Sequence, residues 1–297
     1  STGPLAALST GYLAALSSVQ LAGLSTGMLQ VLSTAQIAAL NVAALKGLAS
    51  ASIRVLSTAQ VQAFGTAAVK GLSGAQLGAM STVQLAALDS EDVAQLGSAQ
   101  LAGLTSSTVS ALSTGQIAVL SSGAIAGFGT AGIGVLSTGQ LVALSTVNIR
   151  GLSSTQLAAL TTTQLRALET QDVAQLTAAQ LAGFDGSDIA ALTSGQWAAL
   201  STASLKGLKT DQLSALSTGQ VAALSTGYLA ALSSVQLAGL STGMLQVLST
   251  AQIAALNVAA LKGLASASIR VLSTAQVQAF GTAAVKGLSG AQLGAMS

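Results

Sequence analysis

Apolar residues recur along this chain in a strict register of eight. Leu8, Leu16, Leu24, Leu32, Leu40 and Leu48 set the spacing, and Phe64, Met80, Phe128 and Phe184 carry it on to Met296 without insertion or deletion. Three residues before each stands a second apolar residue, from Leu5, Leu13 and Leu21 to Leu293. Residues 1–296 read as thirty-seven octads with the consensus Ser-Thr-x-Gln-Leu-Ala-Ala-Leu. Octad positions 5 and 8 differ in parity, so a strand points them to opposite faces, whereas a helix puts an i, i+3 pair on one face. Ala, Leu and Gln also favour helix. One continuous helix fails. Eight residues at about 100° each leave about 80° of drift per octad, and the apolar stripe winds right round it.

Each octad must therefore break and restart, and the polar positions supply the restart. Ser at position 1 with Gln at position 4 is a capping box, as in Ser33 to Gln36 and Ser57 to Gln60. The position-8 residue before it and the position-5 residue after it have the N′ and N4 spacing of a hydrophobic staple. Asp89, Glu91, Asp92, Glu169, Asp172, Asp185, Asp188 and Asp211 all occupy positions 1, 3 or 4, where a helix start favours negative charge. Nine of the ten basic residues occupy position 6, towards the other end. The pattern predicts one helix per octad, from about position 2 to position 7, capped by the position-1 side chain. A helix this short exists only if neighbours bury its 5/8 face. The fold expected is an all-α solenoid of very short helices. A parallel β-solenoid with eight residues per side is the alternative that the Ser/Thr-rich corners allow.

A slower beat sets the winding. Position 7 is glycine only at Gly23, Gly47, Gly71, Gly103, Gly127, Gly151, Gly183, Gly207, Gly239, Gly263 and Gly287. Residues 9–81 recur unchanged as 225–297, twenty-seven octads later, and each such 216-residue cassette holds eight of these glycines. Their mean spacing is therefore 27/8, or 3.375, octads. One superhelical turn should then take about 27 residues, with glycine along one edge where successive turns press together. DSEDVAQL (Asp89–Leu96) and ETQDVAQL (Glu169–Leu176) lie ten octads apart, close to three such turns. Residues 1–297 are read as a single continuous solenoid of about eleven turns, a rod on the order of 100 Å long at helix-packing spacing.

Composition narrows the chemistry. Charged residues are 6% and aromatics 2%, and histidine and cysteine are absent, so the chain has no imidazole base, no thiol and no soft metal ligand. Neither a catalytic site, a cofactor nor a metal is expected. Asp89, Glu91 and Asp92 form an acidic cluster, but no glycine-punctuated calcium loop surrounds them and helix-start preference accounts for all three. The hydrophobic fraction is 51%, yet Ser, Thr or Gln interrupts nearly every octad, so no transmembrane segment is expected. A net charge of +2 makes nucleic acid no default partner. Lys46, Lys70, Arg150 and Lys206 each precede a position-7 glycine, and the 27-residue winding puts them on one stripe. They are the candidate site for an anionic ligand such as a polysaccharide. Trp197 and the four phenylalanines fall on core positions, whereas Tyr12 and Tyr228 replace the capping Gln and are expected to be partly exposed.

The units LSTAQIAAL (Leu32–Leu40), LTTTQLRAL (Leu160–Leu168) and LSTGQVAAL (Leu216–Leu224) resemble octapeptide arrays, L-[ST]-T-x-Q-[VIL]-x-A-L, in giant predicted surface or secreted proteins of Gram-negative bacteria. The resemblance implies an extracellular or cell-surface structural protein, sheath-forming or adhesin-like, and carries no catalytic residue with it. Octads run to both ends without a polar capping unit, so a section of a longer, self-associating protein is expected. The chain is therefore read as a building element of an extracellular fibre. A glycan- or protein-binding module is the alternative.

Overall fold

A computed structural model describes residues 7–296, so Pro4, which stands where Gln220 stands one cassette later, lies outside the described residues. Among those residues the chain is all-α: thirty-six helices of four to six residues and no strand. The β-solenoid alternative is excluded. Thr34–Ala38 shows how one octad works. Ser33 is the N-cap, and its Oγ accepts from the Gln36 N–H at 3.2 Å while Gln36 Oε1 accepts from the Ser33 N–H at 2.8 Å. The Ile37 N–H closes the helical turn on the Ser33 carbonyl at 3.0 Å, and the Leu40 N–H reaches back three residues to the Ile37 carbonyl at 3.1 Å. That tightened last turn stops the helix between positions 5 and 7.

The corner needs no left-handed residue, since no residue has positive φ among those described. Two extended residues turn the chain instead. Leu72 (φ −66°, ψ 143°) and Ser73 (φ −77°, ψ 160°) separate helix Thr66–Gly71 from helix Gly74–Gly78. Positions 8 and 1 thus reset the direction, and β-region backbone at position 1 is also what an N-cap requires.

The chain divides into two compact units, Ser1–Leu152 and Ser153–Ser297. In each, a helix stacks on the helix three octads away. Val42–Leu45 packs between Ser18–Ala22 and Thr66–Gly71 in the first unit, and Val258–Leu261 between Ser234–Ala238 and Thr282–Gly287 in the second. Away from the last two octads, where Val285 and Leu293 are exposed, position-5 side chains are mostly sealed and position-8 side chains nearly so, for example Leu77 and Met80 in the first unit and Leu213 and Leu216 in the second. Trp197, Phe64, Phe128, Phe184 and Phe280 are all buried, as their octad positions require.

Contacts between coils bracket the 27-residue winding. Position-6 side chains reach three octads and one residue forward, as Gln30 does to the Val55 carbonyl, and position-4 side chains reach back to the C-terminal end of a helix one coil below, as Gln60 does to the carbonyls of Leu29 and Leu32. The glycine beat has a steric cause. A Cβ on any of the ten position-7 glycines from Gly47 to Gly287 would come within 3.0 Å of a position-2 residue in the coil beneath. Gly47 faces the backbone of Ser18, Gly127 that of Ser98, and Gly263 that of Ser234. Glycine is used here for room, not for its φ.

Candidate functional site: the glutamine clamp and the exposed cations

The recurrent polar centre of both units is the position-4 glutamine. Its Oε1 completes the capping box of its own helix, as predicted. Its Nε2 does something that reasoning within one octad missed: it donates to carbonyls of the coil below. Gln60 Nε2 reaches the Leu29 carbonyl at 2.9 Å and the Leu32 carbonyl at 2.8 Å, and Gln84 Nε2 reaches those of Ile53 and Leu56 at 3.0 and 2.7 Å. In the second unit Gln212 contacts the Leu181 and Phe184 carbonyls, both at 2.8 Å, and Gln276 those of Leu245 and Leu248 at 2.9 and 2.8 Å.

Backbone accounting explains the arrangement. The position-8 carbonyl sits at an extended corner, past the last helical turn, where it has no acceptor role within its own octad. Buried and unpaired, it would carry a penalty of about 1–3 kcal/mol. The glutamine one coil up removes that penalty while capping its own helix. Each clamp is thus an N-cap for one coil and a C-cap for the coil beneath it. A signal for it exists in the sequence. A capping box accepts Glu as readily as Gln, yet Glu91 and Glu169 avoid position 4 and eighteen octads place Gln there. The amide N–H₂ is the surplus that Glu lacks.

Substitutions at position 4 show what the clamp site demands. Asn148 and Ser204 still reach the position-8 carbonyl one coil below, Leu120 at 2.6 Å and Leu176 at 2.5 Å respectively. Asp92, Asp172 and Asp188 are buried there, which qualifies the helix-start reading of these acids. Burial holds all three carboxyls above the ordinary range; Thr66 donates to Asp92 and opposes the shift. Asp172 is pushed up to about 6, first by burial and then by the charge of Glu169, and its Oδ2 has no hydrogen-bond partner. Asp185 follows the predicted rule: its carboxylate accepts from Ser187 Oγ at 2.6 Å and from the Asp188 N–H at 2.9 Å, and its pKa is lowered.

Tyr228 corrects the expectation of partial exposure. It is 1% exposed, and its hydroxyl has no partner. Tyr12 occupies the same octad one cassette earlier and is 68% exposed. The coil beneath makes the difference: Tyr228 sits on one, while Tyr12 has no earlier coil among the described residues.

Of the candidate cations, Lys46, Lys70 and Arg150 lie in the first unit and Lys206 in the second, and all four are exposed. Each stands at or just past the last turn of its helix, where carbonyl ends favour a cation. Lys46 and Lys70 come from stacked helices, so they occupy neighbouring coils. Among the described residues no helix is long and apolar enough to cross a membrane, and no cluster of three or more acidic side chains is arranged to hold a metal ion.

Octads that close on their neighbours through caps, apolar pairs and inter-coil clamps define a tandem-repeat protein with a helical-solenoid fold. The ALTTAQ repeat matches the chain in five overlapping stretches, 85–122, 109–146, 138–170, 165–202 and 195–226. The sequence Ala-Leu-Thr-Thr-Thr-Gln at Ala159–Gln164 is a near-literal instance, with the clamp glutamine at its end. No curated protein matches the chain.

Proposed function

We propose that this chain is a building section of a longer, non-catalytic protein that forms an extracellular fibre or sheath. The observation that carries the reading is the clamp. Coil after coil is closed by the one above it through the same local contacts, so adding octads extends the object at nearly constant stability per octad. The unchanged return of residues 9–81 one 216-residue cassette later supports a parent protein in which this cassette recurs. Lateral packing would use the exposed Ala, Ser and Thr positions and the exposed Val19, Val83, Val147 and Val235, all at position 3, with few charges to hold neighbours apart. A giant bacterial surface protein, as the octad motif resembles, is the setting that suits this material. Electron microscopy and sizing of the native protein test the reading. Filaments or laterally ordered sheets that lengthen with concentration support it; a compact, discrete monomer with measurable turnover refutes it.

A second reading, in which Lys46, Lys70, Arg150 and Lys206 hold an anionic polysaccharide, is favoured by the exposure of all four cations and the adjacent coils of the first two. Replacing the four with alanine should then abolish salt-sensitive retention on an anionic glycan column. Unchanged retention rules this reading out.

A further inference from the structure

Octad 105–112 lacks the clamp. Position 4 is Thr108, and its hydroxyl is spent locally: it donates to the Thr105 carbonyl at 2.9 Å and accepts from the Thr105 N–H at 2.9 Å. It cannot reach the carbonyls that a glutamine there would engage. By the register of the other clamps these are Met80 and Leu77. Flanking octads keep the contact, with Gln100 and Gln116 at 2.9 and 2.8 Å from the carbonyls of Leu72 and Leu88. Beside Thr108 the surface opens into a groove of about 340 Å³, bordered by Met80 and Thr108. It runs across three coils, from Arg54 through Ser81 to Thr105, all within the first unit.

The lining has a distinct chemistry. Arg54 is its one charged residue, hydroxyls come from Ser81, Thr82, Thr105 and Ser107, and no acid or aromatic ring takes part. We propose that this groove binds an acidic sugar residue of a polysaccharide, with Arg54 pairing to the carboxylate and the hydroxyl and carbonyl edges pairing to the sugar hydroxyls. Its volume lies at the small end of ligand sites and exceeds what a lone tetrahedral anion fills. A polyhydroxylated ligand matches a wall that offers both donors and acceptors. An acidic peptide matches it less well, because Ala79 and Met80 are the only apolar side chains available to its aliphatic parts. The open side lets a polymer chain run past. This site contains none of Lys46, Lys70, Arg150 and Lys206 and does not depend on fibre formation.

Calorimetric titration of the full chain with an oligogalacturonate tests the proposal, with a neutral maltooligosaccharide and polyglutamate as controls. Saturable binding of the uronate alone is expected. Arg54→Ala should weaken it at least tenfold, the scale of one charge-assisted pair. Thr108→Gln should rebuild the clamp, fill the groove and weaken binding at least as much, while raising the melting temperature. Lys209→Ala, outside both the groove and the four candidate cations, should leave it unchanged. Absence of saturable uronate binding overturns the proposal, as does equal binding of polyglutamate, or a folded Thr108→Gln protein that binds like the parent. A Thr108→Gln protein that melts earlier than the parent overturns the clamp-vacancy origin of the groove.

Discussion

Gln212 offers the sharpest test of the clamp. It is fully buried, and its amide makes three contacts: Oε1 accepts from the Lys209 N–H at 2.8 Å and Nε2 donates to the Leu181 and Phe184 carbonyls at 2.8 Å. Gln212→Leu keeps the bulk and removes all three. The Leu181 carbonyl retains the Phe184 N–H at 3.1 Å, so the groups left without a partner are the Phe184 carbonyl and the Lys209 N–H. At about 1–3 kcal/mol per orphaned group, less the gain from an apolar side chain in a buried place, the net loss is about 2–4 kcal/mol. Because each coil touches only its neighbours, the loss should appear as local opening of residues 177–216. Amide exchange there should accelerate roughly 30- to 1,000-fold, at about 1.4 kcal/mol per tenfold. Hydrogen exchange with mass spectrometry reads it directly, with the exposed Gln278→Leu as control. Gln212→Glu separates the two halves of the amide, since its carboxyl still accepts but donates only when protonated. Burial against carbonyls raises the folded pKa above the unfolded value of about 4.3, so this variant should approach the parent in acid and weaken as pH rises through its folded pKa. Exchange in Gln212→Leu no faster than in Gln278→Leu would falsify the inter-coil role of the glutamine.

Three further outcomes follow from the same contacts. Gly127→Ala drives a methyl into the backbone of Ser98 and should destabilise the first unit by about 1–3 kcal/mol, whereas Gly123→Ala, whose methyl would meet only Ser121 Oγ at 4.0 Å, should stabilise by about 0.5–1 kcal/mol; urea unfolding of the pair checks this. Tyr228→Phe removes a buried hydroxyl without a partner and should raise the melting temperature of the second unit, while Tyr12→Phe at the exposed copy should leave melting unchanged. Asp172 has a folded pKa of about 6, above its reference value of 3.8, so it favours folding at acid pH and that contribution fades as pH rises from about 4 through 6. Asp172→Asn should flatten this part of the pH dependence in melts spanning that window, and an unchanged slope would reject the assignment.

Much of the architecture was legible in the chain because its causes act within one octad. The parity of positions 5 and 8, the Ser-x-x-Gln box and the angular drift of an unbroken helix are all set by near neighbours in sequence, and they dictated short capped helices with a two-residue apolar face. Even the winding was readable, since a steric demand at one edge of the coil forces glycine back at the superhelical period. What only the tertiary structure decided are the relations between one coil and the next. The octad containing Tyr12 and the octad containing Tyr228 are identical in sequence, yet one ring is open and the other sealed, because burial belongs to the coil beneath and not to the octad. The second half of each glutamine was hidden for the same reason: its partners are corner carbonyls one coil away, and a carbonyl has no letter in the sequence. Thr108 reads as an ordinary cap variant until the Met80 carbonyl below it is seen without the clamp amide. A hydrogen-bond deficit appears only when both partners have been placed in space.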